Sequence, residues 1–179
     1  MRWLIDGYNV IRRAPELASR ERESLEAGRH ALCSLLSAVA RASGDTFTVV
    51  FDGIDAGGTA GAGASVAVIF SSARESADHV LARMARTGGA VVSNDREVRR
   101  AAERAGAVVV TTDQFLARLD EARRPLGEMT TSPDPESEKD EDDDPRRETR
   151  KGNPRRLSKK DRAANRALGR LSRGRSDAG

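Results

Sequence analysis

Histidine, cysteine and aromatic side chains are scarce in this chain: two His, one Cys, one Trp, one Tyr and four Phe among 179 residues. A lone thiol cannot close an intramolecular disulfide, and so few nitrogen and sulfur ligands argue against a zinc centre. Cys33 sits in an apolar helical stretch and reads as a packed thiol. With six aromatics in all, Tyr8 reads as a packing residue rather than a base-stacking platform. No run approaches the ~18 continuous apolar residues of a membrane span, and the amino end lacks the basic-then-apolar layout of a secretory signal. The expected setting is the cytoplasm, with no membrane partner. Phosphate-binding glycine motifs are missing too. "GGTAGAG" at 57–63 lacks a following Lys-Ser/Thr pair, and no G-x-G-x-x-G follows the first strand, which disfavours a nucleotide or redox-cofactor protein.

Charge is abundant but unevenly placed. Residues 1–125 hold 17 Lys+Arg against 16 Asp+Glu, and residues 126–179 hold 14 against 12. Within the second part, Asp134 to Glu148 carries nine acids and three bases, while Arg146 to Arg175 carries thirteen bases and two acids. Residues 126–154 are nearly devoid of apolar side chains and contain Pro133, Pro135, Pro145 and the run "EKDEDDDP". Such a segment buries too little surface to offset its ordering entropy and is predicted to be a disordered acidic linker. The expected organisation is one domain over 1–125, that linker, and a basic tail over 155–179.

Within 1–125, short β-rich runs alternate with helical periodicity. "RWLI", "TFTVVF", "SVAVIF", "GAVVSND" and "GAVVVTT" read as strands. "ESLEAGRHALCSLLSAVARA" places Leu25, Leu32, Leu35, Leu36 and Val39 at helical spacing and ends near Gly44. "ADHVLARMAR", "REVRRAAERAG" and "TTDQFLARLDEA" read as further helices, the last opened by a capping pattern from Thr111 to Gln114. Strands alternating with helices predict an α/β fold, a mainly parallel sheet covered on both faces.

The strands stop on carboxylates. Asp6 ends the first and Asp52 the second, Asp78 sits at the start of the helix after the third, and Asp95 ends the fourth. In an open parallel sheet all carboxyl ends share one edge, where ligands bind. Two unit charges about 4 Å apart repel by roughly 4 kcal/mol at an effective dielectric near 20, so a cation is expected among them. An all-oxygen cluster suits Mg²⁺ or Mn²⁺ and the hydrolysis of a phosphodiester. Each acid also has a plainer use: Asp6 and Asp52 precede glycines and suit turns, while Asp78 and Asp95 suit helix starts. Glu75 fits an outer role, Ser93 a hydrogen bond to a ligand carboxylate or a plain strand end, and His79 a solvated or packed position.

"LIDGYNVI" (4–11), "VVFDG" (49–53), "VIFSSARESADHVLARM" (68–84) and "VVSNDREVRRAAERAGAVVVTTDQF" (91–115) resemble the YacP-like NYN domains of the PIN-like nuclease superfamily. The resemblance covers about residues 1–122. It implies a three-layer α/β/α sandwich and a metal-dependent endoribonuclease, with Asp6, Asp78 and Asp95 as principal metal-site carboxylates and Asn9 fixing substrate or a metal-bound water. Two departures stand out. His79 occupies a position where many relatives carry a second acid, which points to one firmly held ion, and the loop "IDAGGTAGAGAS" (54–65) is small and glycine-rich where a basic, substrate-gripping segment is expected.

Ser158 and Asp161 form a capping-box pattern that predicts a helix over Lys159 to Leu171, with Arg162, Arg166, Arg170 and Arg173 along one side. Arg155, Arg156, Lys159, Lys160, Arg162 and Arg166 are candidate RNA phosphate contacts, sequence-blind and salt-sensitive. The acidic block could compete with RNA for them. RNA is the expected partner, alone or presented by a ribosome or other ribonucleoprotein. The rival to a nuclease is a non-catalytic RNA-binding protein on the same fold.

Overall fold

A computed structural model describes residues 1–53, 63–123 and 158–171. Five strands, β1 (Arg2–Asp6), β2 (Thr46–Phe51), β3 (Val66–Phe70), β4 (Ala90–Val92) and β5 (Val108–Val110), form one sheet in the order β3-β2-β1-β4-β5, parallel throughout. Trp3, Leu4 and Ile5 of the central strand are fully buried, as the continuous apolar run of a strand covered on both faces requires. Trp3 and Ile5 belong to one core cluster and Leu4 to the other, because successive side chains leave a strand on opposite faces.

One face carries α1 (Gly7–Arg13), α2 (Pro15–Glu23), α3 (Leu25–Ser43), α6 (Thr112–Arg123) and α7 (Lys159–Leu171). The other carries α4 (Ala77–Ala85) and α5 (Arg96–Arg104). The result is the expected α/β/α sandwich. The chain winds outward from β1 through β2 to β3, then crosses to β4 on the far side of β1. That reversal leaves a crevice at the carboxyl ends of β1 and β4.

Local chemistry marks the helix ends. Ser24 caps α3 by accepting from the Ala27 N–H, and Gly44 closes it at φ +70°, a left-handed conformation cheap only for glycine. Thr111 and Gln114 exchange capping bonds at the start of α6, each 3.1 Å.

Two differences from the sequence reading concern helices. The periodicity predicts one helix beginning near Glu23, yet α1 and α2 precede α3. Seven residues are too few to reveal a helical period, and α2 buries only Leu17. The second difference is α7. Its Ser158–Asp161 capping box forms reciprocally, and Arg162, Arg166 and Arg170 are exposed. However, Ala164, Ala167, Leu168 and Leu171 are buried in the main core, and Arg118 donates to the Leu168 carbonyl at 3.1 Å. This segment of the basic tail is thus a docked layer element. Its apolar stripe is half alanine, too slight to stand out among arginines. The acidic linker, Arg155 and Arg156 lie outside the described residues, as does most of the 54–65 loop.

Candidate active site

Strand register brings the first two predicted residues together. Ile5 pairs with Val92, so Asp6 emerges beside Ser93, one residue past each member of that pair. One Asp6 oxygen accepts from the Asn9 N–H at 3.2 Å, capping α1, and the other accepts from the Ser93 hydroxyl at 2.9 Å. Ser93, fully buried, also accepts from the Asp95 N–H at 3.0 Å. A single serine therefore fixes the ends of β1 and of the β4–α5 turn. Asp95 caps α5, taking the N–H groups of Glu97 and Val98 at 2.6 and 3.1 Å on one oxygen. The turn and capping roles weighed for Asp6 and Asp95 are real, and each leaves acceptor capacity on its carboxylate.

Asp78 lies in the first turn of α4, exposed, behind the Ser76 cap. Asp52, one residue past β2, accepts from the buried Ser71 hydroxyl at 2.5 Å. Two of the four carboxylates, Asp6 and Asp78, respond to their neighbours. Burial pushes the Asp6 carboxyl above its ordinary range, and the charges of Asp78 and Asp95 push it further against the lowering bonds from Ser93 and Asn9. Asp78 is raised by burial, then by Asp95 and Asp52, with Glu97 adding to them and His79 opposing. At the opposite edge, buried Asp45 is paired with the Met1 amino group and takes the Trp3 indole N–H at 2.9 Å. At the carboxyl edge Asp113 and Glu75 are paired with Arg13 and Arg83, but among the described residues no cation pairs with Asp6, Asp52, Asp78 or Asp95. Among the described residues, no three acids, histidines or cysteines form a ready-made chelate, so these side chains share an electrostatic neighbourhood rather than one closed ligand shell.

Asn9 organises the next layer. Its Oδ1 accepts from the Asn94 N–H at 3.1 Å and from the fully buried Thr112 hydroxyl at 2.8 Å. Asn94 accepts from the Thr112 N–H at 3.0 Å and donates to Asp113, which also pairs with Arg13. Asn94, Thr112 and Asp113 were missed in the sequence as parts of this network. The adjacent "SND" and capping "TTDQ" runs were its visible trace.

The remaining candidates are placed as follows. Glu75 pairs with Arg83 at 3.0 Å, which draws its carboxyl below the ordinary range. His79 Nδ1 lies 2.9 Å from the Ser76 hydroxyl. Tyr8 packs edge-on against Phe51 at 5.1 Å between ring centres. Lys160 pairs with Glu103 at 2.7 Å, in the last turn of α5 at the amino edge of the sheet, away from the carboxylates. Lys159, Arg162 and Arg166 are exposed. Burial raises the Cys33 thiol, as suits a packed residue.

Fold and site together define a doubly wound α/β protein with an acidic crevice at its topological switch. The model of the YacP-like NYN domain matches residues 3–163, and the chain belongs to that family. Among solved structures it is similar to Rae1 (YacP) from Bacillus subtilis, with 25% identity and a TM-score of 0.59 over 68% of this chain and 74% of that one. A tryptophan-to-leucine mutant of that Bacillus subtilis protein gives 24% identity and a TM-score of 0.58 over 68% of this chain and 75% of the mutant. A comparison with curated proteins found no match. The NYN domain is a PIN-like nuclease family, so membership suggests an RNA-directed nuclease. Among the described residues no helix is long and apolar enough to cross a membrane.

Proposed function

We propose that this protein is a metal-dependent endoribonuclease that hydrolyses RNA phosphodiester bonds at the carboxyl edge of its sheet. One observation carries the reading: Asp6, Asp52, Asp78 and Asp95 all stand at the carboxyl edge of one parallel sheet, and among the described residues none of them has a cationic partner. Structural acids are normally paired; acids arranged to repel are a mark of functional sites.

The donors suit a hard divalent ion. They are carboxylate oxygens with no cysteine beside them, a donor chemistry that suits Mg²⁺ or Mn²⁺, which keep several of their own waters, while among the described residues no three of them stand together as a metal-binding group. Asp6, Asp78 and Asp95 would hold it, with Asp52 beside Asp78. When bound, such an ion lowers the pKa of a water and offsets charge on the phosphate oxygens. The chain's own residues supply order. Ser93 sets Asp6 and the Asp95 backbone in one frame, and Asn9 ties the β1, β4 and β5 ends together. An RNA phosphate entering the crevice meets Asp6 and Asp95 already oriented by these bonds. Exposed Lys159, Arg162 and Arg166 would add sequence-blind affinity along α7.

The test is cleavage of labelled single-stranded and structured RNA with Mn²⁺, with chelator, and with Asp6→Asn. Loss of at least about a hundredfold in both latter arms is expected for a group acting on the reacting atoms. Cleavage surviving both would reject the mechanism, and RNA binding without any cleavage would favour the non-catalytic RNA-binding protein.

A further inference from the structure

We propose that Arg29 grips an RNA phosphate next to the carboxylates, supplying the cation that the glycine-rich 54–65 loop lacks; this rests on the RNA reading above. Arg29 lies in the first turns of α3, and α3 runs back from the carboxyl edge towards β2, so its side chain starts on the site's edge. The guanidinium is fixed from two directions. Its Nε–H donates to the Tyr8 hydroxyl at 2.9 Å and an Nη group donates to the same oxygen. Its central carbon lies 5.5, 5.5 and 5.0 Å from the ring centres of Tyr8, Phe51 and Phe70. Half of the chain's six aromatics are spent on this one group.

Phe51 and Phe70 end β2 and β3, and Tyr8 follows Asp6 by two residues. The Phe51 ring lies against Gly7, where a Cβ would come within 2.3 Å of a ring carbon. Gly7, the residue after Asp6, thus meets the same Phe51 ring that the guanidinium stands over. Among the described residues no carboxylate pairs with Arg29, whereas Arg12, Arg13, Arg20 and Arg83 each have one. Aromatic faces attract a cation without neutralising it, and a guanidinium with two N–H groups committed retains three for a phosphate fork. The orientation is set before substrate arrives, so little side-chain entropy remains to be lost on binding. A cation here also counters the repulsion that the carboxylate edge exerts on a polyanion.

The test is fluorescence anisotropy of a labelled single-stranded RNA with the full chain in chelator, so that binding is read without cleavage. Arg29→Met, Arg29→Lys and a control, Arg41→Met, are compared, the control removing the same charge from the far end of α3. Arg29→Met is expected to weaken binding about five- to twentyfold and to lower the slope of log Kd against log salt by about one contact. Arg29→Lys keeps the charge but not the fork and should lose about two- to fourfold, with its melting temperature unchanged, which keeps the test valid if Arg29→Met melts early. Arg41→Met should stay within about twofold, as one distant surface charge. Wild-type affinity and slope in both Arg29 variants, or an equal loss in Arg41→Met, overturns the proposal. An Arg29-dependent affinity with no cleavage in Mn²⁺ leaves it standing and rejects the nuclease reading instead.

Discussion

Asp6 and Asp78 have folded-state pKa values above the ordinary 3.8, and the consequence for stability has a definite sign. Below that value both states are protonated and nothing is lost. As pH climbs through the folded value the native state must ionise at a cost, which is complete at neutral pH. Removing the charge should therefore stabilise the fold while damaging function. In chelator at pH 7, Asp78→Asn is expected to melt no lower than the parent and at most about 1 °C above it, since Asp78 is exposed and solvent screens its neighbours, the gap closing below pH 3.8. Added Mg²⁺ should raise the parent's melting point more than the variant's. A variant that melts lower at pH 7 would show that Asp78 is compensated. Asn9 makes the opposite case. Asn9→Ala strands the Thr112 hydroxyl and the Asn94 N–H, whose acceptor is Asn9 Oδ1. Leaving buried donors unpaired costs about 1–3 kcal/mol, or about 3–10 °C here, and calorimetry would read it.

At the scale of elements, α7 carries the clearest test. Leu168 and Leu171 are buried, while the arginines between the apolar positions face water. Leu168→Ala should cost about 2–4 kcal/mol in denaturant unfolding, whereas Arg166→Gln should leave the midpoint unmoved. A solvated helix would register neither. The same elements show what the sequence discloses. Strands fully buried on both faces declare themselves as apolar runs, and the carboxylates after Ile5 and Phe51 were visible because each breaks such a run at its end. The caps at Thr111 and Ser158 were equally legible, being chemistry confined to a few neighbours. Docking of α7 was not, since two alanines and two leucines gain their meaning only from the surface they meet. Nor was the Asn9–Asn94–Thr112 junction, whose bonds join residues up to 103 positions apart. Local chemistry can be read along the chain; partners created by topology cannot.

For the whole molecule, the net charge of +3 hides a division that governs how RNA approaches. Residues 1–125 are nearly neutral, so their attraction for a polyanion depends on where individual arginines stand, and the basic residues beyond 146 share the chain with a block of opposite sign. Residues 134–144 contain eight acids and one lysine, a net of −7, and removing them changes the chain from +3 to +10. Linked charges of opposite sign compete with a ligand at an effective concentration set by the connecting segment, and salt screens that competition as it screens RNA binding. Deleting 134–144 should therefore tighten RNA binding at low salt by about tenfold and steepen its salt dependence, with the gain shrinking as ionic strength rises. Anisotropy titrations across a salt series would read both quantities. Affinities that coincide at every salt concentration would mean that the acidic block does not reach the surface RNA uses, and that affinity is set within the folded domain alone.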